Sequence, residues 1–146
     1  MIKAVFVDTS AWIMLLNGSE QCHDEAAAIY CRLQNIKLVV SNYIVSETYT
    51  WLSKKKDFQT AYSFLQSIRR KAELDQLDLV YADSVLEKQA QKLLEKYAEH
   101  RISYVDAVSF SIMKNFEIQT AFAYDRHFKT AGFSILDQTD DWTLIP

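Results

Sequence analysis

The sequence predicts an α/β protein: a three-layer α/β/α sandwich with a central, mainly parallel sheet. Apolar runs of strand length alternate along the chain with longer runs of helical periodicity, and such alternation builds parallel sheets covered on both faces. Helix-capping residues recur where strand-like runs end. Two glycines and one proline are all that punctuate 146 residues, with no internal repeat, low-complexity tract or linker between the elements.

Residues 2–7 (IKAVFV) read as a short buried strand, after which Thr9 or Ser10 offers an N-cap for a helix over 11–16. A turn at Asn17-Gly18 leads to a helix over 24–36 and a second strand over 38–40. Ser41 or Asn42 caps a helix reaching about Leu52, and another is expected over 57–71. A third strand at 77–80 precedes a helix capped by Asp83 or Ser84 that runs to about Glu99. Ser103 starts a helix ending near Lys114, and strands over 119–123 and 134–136 complete the sheet. Ligands of such sheets lie off the carboxyl ends of the strands, where Asp8 and Asp125 stand.

At 146 residues the chain fits one domain, 1–146, long enough to bury roughly 70% of its unfolded surface. Hydrophobic residues make up 49% and charged residues 24%, a globular balance. Asp8 and Asn17 interrupt the first apolar stretch and Ser46 and Glu47 the second, so no membrane span is expected. No basic segment leads into a cleavage site, and Cys22 and Cys31 are too few for a disulfide framework or zinc site; both features predict a cytoplasmic protein with free thiols. A net charge of −3 attracts no nucleic acid by itself, so such binding requires local positive patches or a bound cation.

Four acids stand alone in uncharged surroundings. Asp8 is the single charge from Ala4 to Leu16, Glu47 from Leu38 to Leu52, Asp106 from Ile102 to Met113, and Asp125 from Ile118 to its own position. An isolated carboxylate in a low-dielectric setting pairs, protonates or binds a metal, and none of these windows supplies a cation. If the windows converge, a divalent cation is the simplest partner that keeps the acids ionised together. Mg²⁺ or Mn²⁺ suits an oxygen donor set and engages substrate phosphate, which fits phosphoester hydrolysis.

Each acid also has an ordinary explanation. Asp8 can cap the helix that follows it. Glu47 lies at the edge of the stripe formed by Ile44, Thr48, Trp51 and Leu52, a half-exposed position. Ser103-Tyr104-Val105-Asp106 matches a capping box. Asp125 can be a turn residue forming a surface pair with Arg126. Their joint occurrence at strand ends and in apolar helices favours the shared site.

The pattern of strand-Asp8-Thr9-Ser10, Glu47 in a helix, Ser103-Tyr104-Val105-Asp106-Ala107 and Tyr124-Asp125-Arg126-His127-Phe128 resembles the PIN-domain ribonucleases. In length and layout it is similar to the VapC-like toxins of type II toxin–antitoxin modules, and the resemblance covers essentially the whole chain. It implies a parallel-sheet α/β/α fold, Mg²⁺- or Mn²⁺-dependent endonuclease activity on RNA, a homodimer, and a small antitoxin that blocks the active groove. By motif match, Asp8, Glu47, Asp106 and Asp125 take the acidic positions and Ser10 the hydroxyl position after the first acid. Many relatives have Thr two residues before the last acid, where this chain has Ala123. Asp8 and Asp106 are then the principal metal ligands, with Glu47 and Asp125 completing the site or orienting the nucleophile.

For RNA contact, Arg126 and His127 follow directly on Asp125 and are placed to meet a phosphate. Lys54-Lys55-Lys56 and Arg69-Arg70-Lys71 read as solvated helix C-termini. Trp12, Tyr43 and Tyr49 can stack on bases, although aromatics at helical spacing ordinarily belong to a core or dimer face. His23 and His100 read as surface helix residues. A haloacid-dehalogenase-like hydrolase would need a second Asp where Ser10 stands, and two glycines are too few for a Rossmann or P-loop site. The remaining alternative is a PIN-like module that binds RNA or protein without cutting.

Overall fold

In the computed structural model, which describes residues 2–139 and Trp142, the predicted α/β/α sandwich is realised. The strands are β1 (Ala4–Val7), β2 (Lys37–Ser41), β3 (Leu77–Val80), β4 (Thr120–Phe122) and β5 (Ser134–Ile135). The helices are α1 (Thr9–Leu16), α2 (His23–Arg32), α3 (Asn42–Lys55), α4 (Phe58–Glu73), α5 (Ser84–Lys96), α6 (Tyr104–Asn115) and α7 (His127–Thr130), with a 3₁₀ turn at Ala98–His100.

The strand order is β3-β2-β1-β4-β5 and every neighbouring pair is parallel. In the central strand, Phe6 pairs with Val39 on one side and Ala121 on the other. The chain steps outward from β1 to β3, then returns to lay β4 along the free edge of β1. The order therefore reverses between β1 and β4, and the crevice beyond the carboxyl ends of those strands is where open α/β sheets take ligands.

Burial on both faces explains why β1 reads as a continuous apolar run: Val5, Phe6 and Val7 are each 0% exposed. Helix α6 is buried from Asp106 through Met113 without a break, as a helix apolar all round must be. Phe128 of α7 packs edge-to-face on Phe110 of α6, with centroids 5.0 Å apart, and touches Phe6 of β1 at 6.4 Å. That aromatic group pins the segment after β4 beneath the sheet's carboxyl edge.

Several boundaries differ from the sequence expectation. Only Ala4–Val7 of the first apolar run is strand, because Ala4 is the first residue with a partner, Lys37, in β2. Helix α2 stops at Arg32 rather than residue 36, since backbone turns Leu33–Tyr30 and Ile36–Leu33 swing the chain into β2 while buried Leu33 anchors the corner. Helix α5 ends at Lys96, and the 3₁₀ turn closes on Arg101 at φ 51°. Helix α7 is one turn long, too short for periodicity to announce it. His23 is tied down rather than free: its Nδ1 lies 2.8 Å from the carbonyl oxygen of Met14. Trp12 belongs to the core, at 4% exposure, and both cysteines are free thiols. Among the described residues no helix is long and apolar enough to cross a membrane.

Candidate active site

Asp8 is the first residue past β1, and its extended backbone (φ −81°, ψ 160°) lets its side chain cap α1 by accepting the Ser10 N–H at 3.2 Å. The cap is thus Asp8, not Thr9 or Ser10, because Asp8 is the last extended residue before the helix begins. The Ser10 hydroxyl donates to Asp8 Oδ2 at 2.6 Å and accepts the backbone N–H of Tyr124 at 2.9 Å. One hydroxyl therefore orients the acid and ties the end of β1 to the end of β4. Asp8 is 5% exposed, and that burial, reinforced by the charges of Asp106 and Glu47, raises its carboxyl pKa to about 7 despite the Ser10 hydrogen bonds.

Asp106 occupies the third position of α6. Its N–H donates to Ser103 Oγ at 3.0 Å and its Oδ2 accepts the Ser103 N–H at 3.3 Å, completing the capping box expected from the sequence. The same Oδ2 lies 3.3 Å from Nδ1 of His127. Burial and then the neighbouring Asp125 charge lift the Asp106 pKa, against the pull of the Ser103 N–H and His127.

Asp125 follows β4 and accepts the His127 N–H at 2.9 Å, a turn that brings the imidazole back over its own carboxylate. Nδ1 of His127 is 3.2 Å from Asp125 Oδ1. The ligating atoms of Asp106, Asp125 and His127 lie within 4.8 Å of one another. Among the described residues His127 is the one basic side chain paired with any of the four acids; the surface pair between Asp125 and Arg126 that the sequence allows is not formed.

Glu47 is exposed on α3, at the rim, yet close enough for its charge to raise the Asp8 pKa. The structure thus groups Asp106 and Asp125 with His127, and sets Asp8 within electrostatic reach of Asp106 and Glu47. Arg126 is exposed next to this group. His127 sits inside the acidic cluster rather than outside it, a placement that sequence reasoning missed. Its signal was the two-residue spacing from Asp125, which lets one turn supply both groups.

Removing the Ser10 hydroxyl leaves the Tyr124 N–H without its partner and Asp8 without its shortest hydrogen bond. Ser10→Ala is expected to destabilise the chain by about 1–3 kcal/mol, read as a lower urea midpoint with an unchanged slope.

These features can be set against known proteins. The PIN domain sequence pattern matches residues 5–134. The chain belongs to the PIN-domain family. This PIN domain is 33% identical over 129 residues to the Mycobacterium tuberculosis 23S rRNA-specific endonuclease VapC20, covering 88% of this chain and 95% of the relative. The crystal structure of M. tuberculosis VapC20, described as a sarcin-ricin loop cleaving toxin, superposes with a TM-score of 0.84 at 31% identity, covering 91% and 98% of the two chains. VapBC2 from Rickettsia felis bound to a promoter DNA fragment shares the fold at a TM-score of 0.68 and 15% identity, covering 91% and 97%. So does FitAcB from Neisseria gonorrhoeae, at 0.67 and 14%, covering 96% and 99%.

Proposed function

We propose that this PIN-domain chain is an endoribonuclease and the toxin of a toxin–antitoxin pair, hydrolysing RNA phosphodiester bonds with Mg²⁺ or Mn²⁺. The observation that carries the reading is the cluster of Asp106, Asp125 and His127, with Asp8 at the end of β1 close enough for the Asp106 charge to raise its pKa, and with His127 the single basic partner of these acids among the described residues. Identity to VapC20 over nearly its whole length supports ribosomal RNA as the substrate class.

The donor set fits a hard divalent cation. The charge of Asp106 acts on Asp8 and that of Asp125 on Asp106, and this repulsion is relieved either by taking up a proton or by a positive charge among the acids. Asp8 and Asp106 would be the principal holders, with Asp125 and Glu47 completing the set. When bound, the cation supplies a water of lowered pKa and neutralises charge on the phosphate under attack. The chain's own contributions can be assigned to particular groups. Ser10 sets the orientation of Asp8 and thereby acts on the substrate indirectly. The Ser103 N–H holds Asp106 at the end of a rigid, buried helix, and such fixed placement is what a reacting centre requires. Glu47, open to solvent at the rim, is positioned to orient the attacking water. Arg126 and His127 meet the phosphate from the β4 side.

The partner reading has support in a groove along α1, α2 and α4, about 470 Å³ in volume, lined by Trp12, Leu15, Leu16, Tyr30, Phe64 and Ile68 among others. Trp12 Nε1 is buried against it without a hydrogen-bond partner among the described residues. An antitoxin segment with apolar side chains and one carbonyl aimed at Trp12 fits that lining, and the solved relatives include VapBC toxin–antitoxin complexes. We also expect a homodimer acting in the cytoplasm, measurable by light scattering.

The deciding experiment incubates the purified chain with a ribosomal RNA fragment in Mg²⁺, Mn²⁺ or EDTA. Cleavage with either metal, abolished by EDTA, is expected. RNA left intact under every condition would leave a binding module in place of an enzyme.

A further inference from the structure

The carboxyl edge of the sheet carries more than acids. Asp8 and Asp125 follow β1 and β4, whereas the segments that follow β2 and β3 each bring a tyrosine, Tyr43 and Tyr81, to the same edge. Tyr43 lies in the first turn of α3, one turn before Glu47 on the same face, and Tyr81 immediately follows β3. Tyr104, the first residue of α6, is two positions from Asp106. Tyr81 is 63% exposed and Tyr104 43%.

Tyr43 and Tyr104 are not loose surface rings. Both phenols donate to the same atom, Oε1 of Glu87 in the first turn of α5, Tyr104 at 2.9 Å and Tyr43 by a short hydrogen bond. Their ring centroids are 5.8 Å apart at 48°. Three helix starts, α3, α5 and α6, are thereby joined through one carboxylate, and the half-exposed Tyr104 ring is held against Tyr43, one turn before Glu47 on the same face of α3. Single exposed aromatics need no explanation; one with its hydroxyl tethered and a second ring at its side, next to a phosphodiesterase centre, has the form of a base-stacking surface.

We propose that Tyr104, backed by Tyr43 and anchored by Glu87, is a stacking platform for a base of the RNA neighbouring the scissile phosphate, and so helps determine which position is cut. The inference rests on the ribonuclease reading. It assigns the RNA strand a direction, from the acids that follow β1 and β4 toward the tyrosines that follow β2 and β3. Stacking needs only the ring face, while the hydroxyl fixes its plane through Glu87.

The test uses the full chain, Mn²⁺ and a short RNA hairpin that the native protein cleaves. Tyr104→Ala is expected to raise KM about ten- to a hundredfold while kcat moves by less than about threefold, and Tyr104→Phe, which keeps the ring, to restore KM to within about threefold of native. In parallel, an abasic nucleotide is placed at each position flanking the cut. One position should weaken binding to the native chain by about the same factor and leave Tyr104→Ala indifferent. An abasic scan without such a position overturns the inference whatever the variants do. A native KM in Tyr104→Ala overturns it too, as does an equal loss of kcat in the Ala and Phe variants, which would mark a merely structural hydroxyl. Absence of cleavage by the native chain would instead count against the ribonuclease reading itself.

Discussion

Replacing Asp106 with Asn is expected to leave the chain folded while slowing RNA cleavage at least about a hundredfold. The two halves of that expectation come from different atoms of one residue. As a capping-box member, Asp106 needs one oxygen to accept the Ser103 N–H and one N–H to give to Ser103 Oγ. An amide oxygen does the first and the backbone is untouched, so α6 keeps its cap. As a member of the acidic group it needs a negative charge aimed at the crevice, and Asn has none. Relief of repulsion from Asp125 should even raise the melting temperature at alkaline pH in metal-free protein, the usual exchange of stability for function at a charged site. Single-turnover cleavage and a thermal melt on the same preparation decide the matter. A native rate with Mg²⁺ or Mn²⁺ present would remove Asp106 from the chemistry.

The double duty of Asp106 explains what could be read from the chain and what could not. The ordinary and the functional explanations of Asp8 and Asp106 compete at the level of sequence, whereas in the structure the ordinary one holds and leaves room for the other. Each acid caps a helix that starts at the carboxyl edge of the sheet, and capping is what aims its oxygen at the crevice. Strand order followed from alternation only as a class; that β4 returns beside β1, creating the crevice, depends on pairings between Phe6, Val7 and residues more than a hundred positions away. Alternation in a linear pattern carries no information about such pairings. His127 escaped its proper placement for a similar reason. Its imidazole reaches Asp106 only because Phe128, its neighbour, is buried against Phe110 and Phe6, a tertiary constraint with no local signature. Glu87 had no distinguishing feature at all in a charged, amphipathic helix. It becomes visible only when Tyr43 and Tyr104, far apart in the chain, both turn out to donate to it.

Metal-free protein is expected to lose stability as pH rises from about 4 to about 7, with Asp8 as the main cause. In the unfolded chain Asp8 titrates near 3.8, whereas in the folded chain burial holds it protonated up to about 7. Between those values the unfolded state has released a proton that the folded state keeps, so unfolding is increasingly favoured as protons become scarce. Integrated over the window, the loss is on the order of 3–4 kcal/mol. Asp106, also raised, adds a loss of the same sign. Asp57, Asp75 and Asp137, whose pKa values are lowered by hydrogen bonds at the surface, act in the opposite sense and below this range: the stability they lend is lost only as pH falls through their folded values. They therefore cannot mask the descent, and the maximum should fall near its acid end, at about pH 4. Asp8→Asn keeps an oxygen for the Ser10 N–H but has no proton to lose, so it should flatten much of the curve and raise the melting temperature at pH 8 by roughly 5–10 °C. A divalent cation should produce a similar gain in the native chain at pH 8, by about 2.7 kcal/mol at a hundredfold excess over its dissociation constant, and little at pH 5, where the proton already occupies its place. Melting curves across pH for the native and Asp8→Asn chains, each with EDTA or with Mn²⁺, separate these contributions. A native chain equally stable at pH 5 and pH 8 in EDTA, or an Asn variant that stabilises nothing, would mean that Asp8 is ionised without cost and that the site does not require a cation to hold it.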